Sequence, residues 1–228
     1  ATDVLSFAQP ALAVAGAGII SFLAVDRGLS FWIALPLGIF ITGIFGLVIE
    51  RTFLRAMVGE PVFSVAILTI GIDILIRTVL DDWIGLNPRY MGDSFSMMGN
   101  FGSLNIGGVS LKYLELTALV AAIFVIGLLT IFFKYSKYGL AMRATSFDQE
   151  ASLAQGINVG RVIALVWFIA AMLASLSGFF ITGGFNGLSQ ASFVTALRAL
   201  PAIVIGGLDS LVGAVVGSLI VGLTQGYI

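Results

Sequence analysis

Long apolar runs, each close to the length of a membrane crossing, alternate along the chain with short polar segments. The runs are Val4–Val25, Phe31–Ile49, Val62–Leu80, Tyr113–Phe133, Val162–Thr182 and Leu211–Ile228. A helix needs about 20 apolar residues to cross a bilayer, so each run predicts a transmembrane helix. Ala196–Ile205 is equally apolar but too short to cross at about 1.5 Å per residue. A half-helix or re-entrant segment, tolerated at membrane depth where protein covers it, is expected there. Segment 81–112 opens Asp81-Asp82-Trp83 and then becomes rich in Gly and Ser, the composition of an external loop with room for a short hairpin. The fold class this pattern predicts is all-α: a polytopic transmembrane helical bundle with about six to seven membrane segments, forming a single domain over 1–228.

Composition sharpens this picture. Charged residues make up only 10% of the chain, where a soluble domain carries about a quarter. Most of the surface must therefore face an apolar medium. There is no His and no Cys, which removes imidazole and thiolate metal ligation, disulfides and His-based acid–base chemistry. The net charge of −1 gives no basic patch for nucleic acid. The chain opens Ala1-Thr2-Asp3 and closes at Ile228 inside an apolar run, so further sequence is expected beyond both ends. No signal-peptide pattern is present in the residues given.

Charge placement orients the bundle. Arg51 and Arg55 follow the second run, and Lys134, Lys137, Arg143 and Arg161 flank the loop between the fourth and fifth. By helix parity these loops share one side, and the positive-inside rule makes that side the cytoplasm. Arg27, Arg89 and Lys112 are the basic residues on the other side, where Trp83, Tyr90 and Tyr113 suit interfacial anchoring. Parity beyond Thr182 depends on whether the short segment crosses.

Three stripes of small residues recur at helical spacing: Gly38/Thr42/Gly46, Ala170/Ala174/Gly178 and Gly213/Gly217. Such stripes let helix backbones approach closely where lipid gives no hydrophobic drive for association, and they predict tight packing. Pro10, in the first run, predicts a kink or break there, with Gly16 and Gly18 loosening the helix further. A broken helix bearing Ser6 and Gln9 is a candidate lining of a solute path; a harmless kink is the alternative. Thr69, Asp73 and Arg77 form an i, i+4, i+8 stripe on the third run. Charges at membrane depth should face the bundle interior and pair. Either the stripe faces a hydrophilic pathway, with Thr69 and Asp73 on it, or Arg77 snorkels outward and holds Asp73 as its partner.

The most informative polar segment is cytoplasmic, 138–158. It reads as a short helix over Ser146–Gly156, with Ser146 as cap, Gln149 completing a capping box, Asp148 and Glu150 in the first turn and Gly156 as a left-handed stop. At about 15 Å it is too short and polar to span. Phe147, Ala151 and Ala154 would share a face suited to a groove on a partner, or to the membrane surface.

Arg143-Ala144 followed by Glu150-Ala151-x-x-x-x-Gly156-Ile157-Asn158 resembles the cytoplasmic coupling loop of bacterial ABC importer permeases. The chain more closely resembles the permease subunits of branched-chain amino-acid importers, the LivH-like family. The likeness extends in order through Leu5-Ser6-Phe7-Ala8, Glu50-Arg51, Leu173-Ala174-Ser175-Leu176-Ser177-Gly178, Ala202-Ile203-Val204-Ile205-Gly206-Gly207-Leu208 and Gly213-Ala214-Val215-Val216-Gly217. Gln9-Pro10 stands where the family often has His-Gly, and Asp209 follows Leu208 where Gly is common, so cargo other than branched-chain amino acids stays open.

The resemblance implies a bacterial inner-membrane permease domain whose coupling loop, 138–158, meets an ATPase through Arg143, Ser146, Phe147, Glu150, Ala151 and Gly156. It further implies a second permease subunit, two cytoplasmic ATPase subunits and an extracytoplasmic solute-binding protein. The chain has no Gly-x-x-x-x-Gly-Lys-Ser/Thr phosphate loop, so it is expected to hold no cofactor, with ATP and Mg on the ATPase partners. Two rival readings remain: an ATP-independent secondary transporter or channel using Asp73 and Arg77, and a structural membrane subunit.

Overall fold

The computed structural model describes residues 6–57, 60–84, 103–106, 109–183, 187–189, 191–207 and 210–226. Helix α1 (Gln9–Ser21) widens into a π turn at Phe22–Asp26. Helix α2 (Phe31–Ile49) continues through a π turn, Glu50–Leu54, and a 3-10 turn, Arg55–Met57. Helix α3 (Val62–Ile84) precedes an antiparallel hairpin of β1 (Ser103–Ile106) and β2 (Val109–Lys112), in register with Ile106 opposite Val109. Then follow α4 (Tyr113–Tyr135), α5 (Lys137–Phe147), α6 (Gln149–Ala154) and α7 (Val159–Thr182). The last helices are α8 (Ala191–Leu197), α9 (Ala199–Gly206) and α10 (Leu211–Gly226). Five helices, counting the continuations of α1 and α2, are long and apolar enough to cross a membrane, and two shorter apolar segments accompany them. The chain is a multi-pass membrane protein built as a helical bundle.

The core forms around α1, which packs against α2, α3, α7 and α8. All three small-residue stripes are contact faces. Gly178 lies directly on the Ala13 carbonyl, so no Cβ fits there, and Gly46 meets Ala171 and the Trp167 carbonyl. The buried Thr42 hydroxyl hydrogen-bonds the Gly38 carbonyl at 2.8 Å and the Ser175 hydroxyl at 3.3 Å. On the α7 stripe, the buried positions are Ala171, Ala174, Ser175 and Gly178, half a turn wider than the sequence pattern. Gly213 and Gly217 pack against Gly206 and Ala202, so α9 and α10 form an antiparallel hairpin of half-length helices. The short apolar segment is divided in two at Arg198, which joins α8 to α9.

Several expectations need correction. Within the described residues the first helix starts at Gln9, which puts Pro10 in its first turn. There the missing N–H costs no helical bond and no kink results. Gly16 and Gly18 do not loosen the helix; they admit Ser175 and Trp83 to close contact. The second span does not stop at Ile49 but runs on to Met57. The last helix is described over Leu211–Gly226, 16 residues or about 24 Å. Val4, Leu5, Arg89, Tyr90, Gly107-Gly108, Leu208, Asp209 and Ile228 lie outside the described residues.

Candidate functional site

Two places concentrate polar chemistry: a stripe inside the bundle and a pair of short helices, α5 and α6, at one end of it. On α3, Asp73 lies eleven residues past Val62, about 17 Å along the helix and so near the middle of a ~30 Å hydrocarbon core. Helix α1 begins beside it rather than at the membrane surface. The Phe7 N–H donates to the buried Thr69 hydroxyl at 3.1 Å, and that hydroxyl donates to the Ala66 carbonyl at 2.8 Å. Four residues further on, the Ala11 amide in the first turn of α1 attracts the Asp73 carboxylate. The positive end of a helix dipole thus meets a carboxylate at membrane depth.

Asp73 Oδ2 forms an ion pair with Arg77 Nε at 2.7 Å. The Arg77 Cζ sits 4.8 Å from the centre of the Phe193 ring on α8. Arg77 is therefore held between α3 and α8 instead of simply reaching for the external surface, because the ring supplies a cation–π partner. Among the described residues, the buried Ser6 hydroxyl has no hydrogen-bond partner. Orphaned polar atoms of this kind call for water or a polar solute. The structure brings Ser6, Thr69 and Asp73 to the junction of α1 with α3; Gln9 is half-buried at the start of α1. Phe193 and the Ala11 amide were not foreseen, since nothing in an apolar run marks the residue that will face an arginine.

In the 138–158 segment the predicted single helix is replaced by the end of one helix and the whole of another. Ser136 caps α5, its hydroxyl accepting the Tyr138 N–H at 3.2 Å, and Gly139 lies tight against the Phe132 carbonyl at the α4–α5 corner. Ser146 is interior to α5 and its hydroxyl donates to the Arg143 carbonyl at 2.8 Å, so it caps nothing. The cap of the next helix is Asp148, extended at φ −156° and ψ 114°, whose Oδ1 accepts the Ala151 N–H at 2.9 Å. A carboxylate at this position satisfies an orphan amide and also favours the dipole, which displaces the Ser146–Gln149 capping box. Helix α6 is then six residues, about 9 Å rather than 15 Å.

Gly156 does stop the helix, at φ +82°, with the Ile157 N–H returning to the Ser152 carbonyl at 3.0 Å. Asn158 Oδ1 caps α7 by accepting the Arg161 N–H at 3.0 Å. Gly139, Met142, Thr145 and Ser152 turn inward. Arg143, Glu150, Ala151 and Ala154 face out, and Phe147 projects with 91% of its surface exposed. Phe147 therefore belongs to the end of α5 and not to a common helix face with Ala151 and Ala154. Among the described residues no cluster of metal-ligating side chains occurs.

Residues 1–228 match the family described as "Branched-chain amino acid transport system / permease component". The chain belongs to this family. Among curated relatives, the branched-chain amino acid permease protein BraD of Pseudomonas aeruginosa is 27% identical over 197 residues, covering 85% of this chain and 64% of its own length. LivH of Salmonella typhimurium is 29% identical over 189 residues, covering 82% of this chain and 61% of its own. LivH of Escherichia coli is 28% identical over 209 residues, covering 89% and 67%. The chain thus spans less than two thirds of the first two relatives. No solved structure matches it.

Proposed function

We propose that this chain is the membrane-spanning part of a permease subunit of an ATP-driven importer in a bacterial inner membrane. Its cargo is branched-chain amino acids or related small polar solutes, moved by alternating access. The observation that carries the reading is the α5–α6 corner, where Phe147 stands free of the bundle between the exposed Arg143 and Glu150. An isolated aromatic flanked by charges is the kind of anchor that a groove on a partner protein receives.

The partner is one of two cytoplasmic ATPase subunits, which hold ATP and Mg. A second permease subunit and an extracytoplasmic solute-binding protein complete the assembly. Arg143 and Glu150 set the polar rim of the contact, Ala151 leaves space for the partner, and Gly156 fixes the angle at which the corner meets α7. Closure of the ATPases moves the corner, and α7 carries the movement to α1 and α2, on which it packs. Ser6, Gln9, Thr69 and Asp73 line the solute path at the point where α1 begins. Asp73 and Arg77 neutralise each other there, which suits a polar, overall neutral solute more than an ion-coupled cycle.

The test is uptake by the full permease reconstituted with its ATPase subunits. Phe147→Ala should lower ATP-dependent uptake roughly tenfold or more, the scale of losing an interfacial aromatic anchor. ATP hydrolysis should persist. Undiminished uptake by the Phe147→Ala/Glu150→Ala double variant would sink the proposal.

A further inference from the structure

At the cytoplasmic end, the continuation of α2 and the start of α7 enclose a cavity of about 400 Å³ that the transport reading leaves unused. Arg51, Arg55 and Arg161 line it, together with Glu50, Asn158 and Gly160. The π turn at Glu50–Leu54 explains how one short stretch supplies both signs. It turns Glu50 inward, where only 2% of its surface is exposed, and leaves Arg51 and Arg55 outside.

Three guanidiniums against one carboxylate leave the cavity net positive. Among the described residues, no ion pair engages Arg51, Arg55 or Arg161. The first turn of α7 adds to this, since Asn158 occupies only the Arg161 amide and Gly160 carries no side chain over its own. The Arg55 Nη2 atom lies 3.9 Å from where a Cβ on Gly160 would stand. Unsatisfied amides at a helix start, next to guanidiniums, form an anion site.

A second observation narrows the ligand. Glu50 Oε1 is buried in this cavity and has no hydrogen-bond partner among the described residues, so an occupant with a donor as well as an anion fits it. The floor is apolar, made by Leu47 and Ala164. One turn before Leu47 on α2, Ile44 exposes its side chain. Basic pockets between transmembrane helices on the cytoplasmic side suit phospholipid headgroups.

We propose that this cavity binds the headgroup of an anionic glycerol-type phospholipid, phosphatidylglycerol or cardiolipin. The phosphodiester sits on Arg51, Arg55, Arg161 and the first-turn amides of α7. A headgroup hydroxyl donates to Glu50, and the acyl chains leave over Leu47 and Ala164 along α2. The net positive charge of the site prefers this headgroup to a zwitterionic one, whose ammonium meets three guanidiniums.

The test is native mass spectrometry of the delipidated full-length permease, titrated separately with phosphatidylglycerol, phosphatidylethanolamine and inorganic phosphate. Phosphatidylglycerol should bind most tightly. Each arginine changed to glutamine should weaken it roughly fivefold, the scale of one basic residue at a membrane surface. Arg51→Lys/Arg55→Lys, which keeps the charge, should retain most of the affinity, separating loss of the site from loss of the fold. Lys134→Gln/Lys137→Gln, on the same side but outside the cavity, should change binding less than about twofold. Unchanged phosphatidylglycerol binding by Arg51→Gln/Arg55→Gln/Arg161→Gln would overturn the site. Equal binding of phosphatidylethanolamine, or displacement of the lipid by millimolar phosphate, would overturn the ligand assignment.

Discussion

Helices α1 and α4 are both long enough to cross a membrane, and α4 is the more apolar of the two. Yet 67% of the stretch Gln9–Asp26, α1 with its π turn, is buried inside the bundle, and none of α4 is. Water would have driven the greasier helix inward. Lipid does not, because hydrocarbon tails are as apolar as leucine, so side-chain size decides which helix goes to the centre. Helix α1 offers Ala11, Ala13, Ala15, Gly16, Ala17 and Gly18, which bring its backbone close to α2, α3 and α7. Helix α4 offers Leu119, Val120, Ile123, Phe124 and Leu128, all exposed. Helix α3 belongs to both worlds, with Ile67, Ile74 and Leu75 on an outer face and Thr69 and Asp73 on an inner one.

The contrast can be broken most sharply at glycine. Gly178→Val places its side chain on the Ala13 carbonyl, and the α1–α7 contact should lose about 3 kcal/mol or more. The same change at Gly127 on α4, where nothing lies within 4 Å, should stay within about 0.5 kcal/mol. Thermal unfolding of the two variants in one detergent measures the difference, and equal losses would refute the size argument. On the inner face of α3, Asp73→Asn leaves Arg77 without a counter-charge near the membrane centre. A loss of about 2 kcal/mol is expected, read by the same melt, and Asp73→Asn/Arg77→Gln should recover part of it. Smallest, Thr42→Val removes the hydrogen bond to Ser175 but keeps the packing. About 0.6 kcal/mol is the scale for such bonds in a membrane protein, resolved in a double-mutant cycle with Ser175→Ala.

Much of this was legible in the sequence, because membrane helices announce themselves by length and close contacts by small residues. The stripe at Gly38, Thr42 and Gly46, the pairing of Asp73 with Arg77 and the stop at Gly156 all follow from spacing and local chemistry. The α5–α6 boundary did not. Ser146 and Asp148 are both good caps two residues apart, and what decided between them was Ser136, which starts a helix early enough to swallow Ser146. The start of α1 was hidden for a similar reason. Proline is read as a breaker in a long apolar run, and only the position of the first turn turns it into a starter. Contacts across the bundle, such as Arg77 with Phe193, leave no mark on either local sequence.

The two corners that bound α6 give it a mechanical character. Asp148 is extended and Gly156 left-handed, while the residues between them are one rigid turn and a half of helix. Such a piece cannot absorb a push by bending; it can only swing about its two end residues, as a crank does. A swing of about 10° at Asp148 shifts the Gly156 end by roughly 1.6 Å. That end joins α7 through Ile157 and Asn158, so a displacement there would be delivered to the first turn of α7.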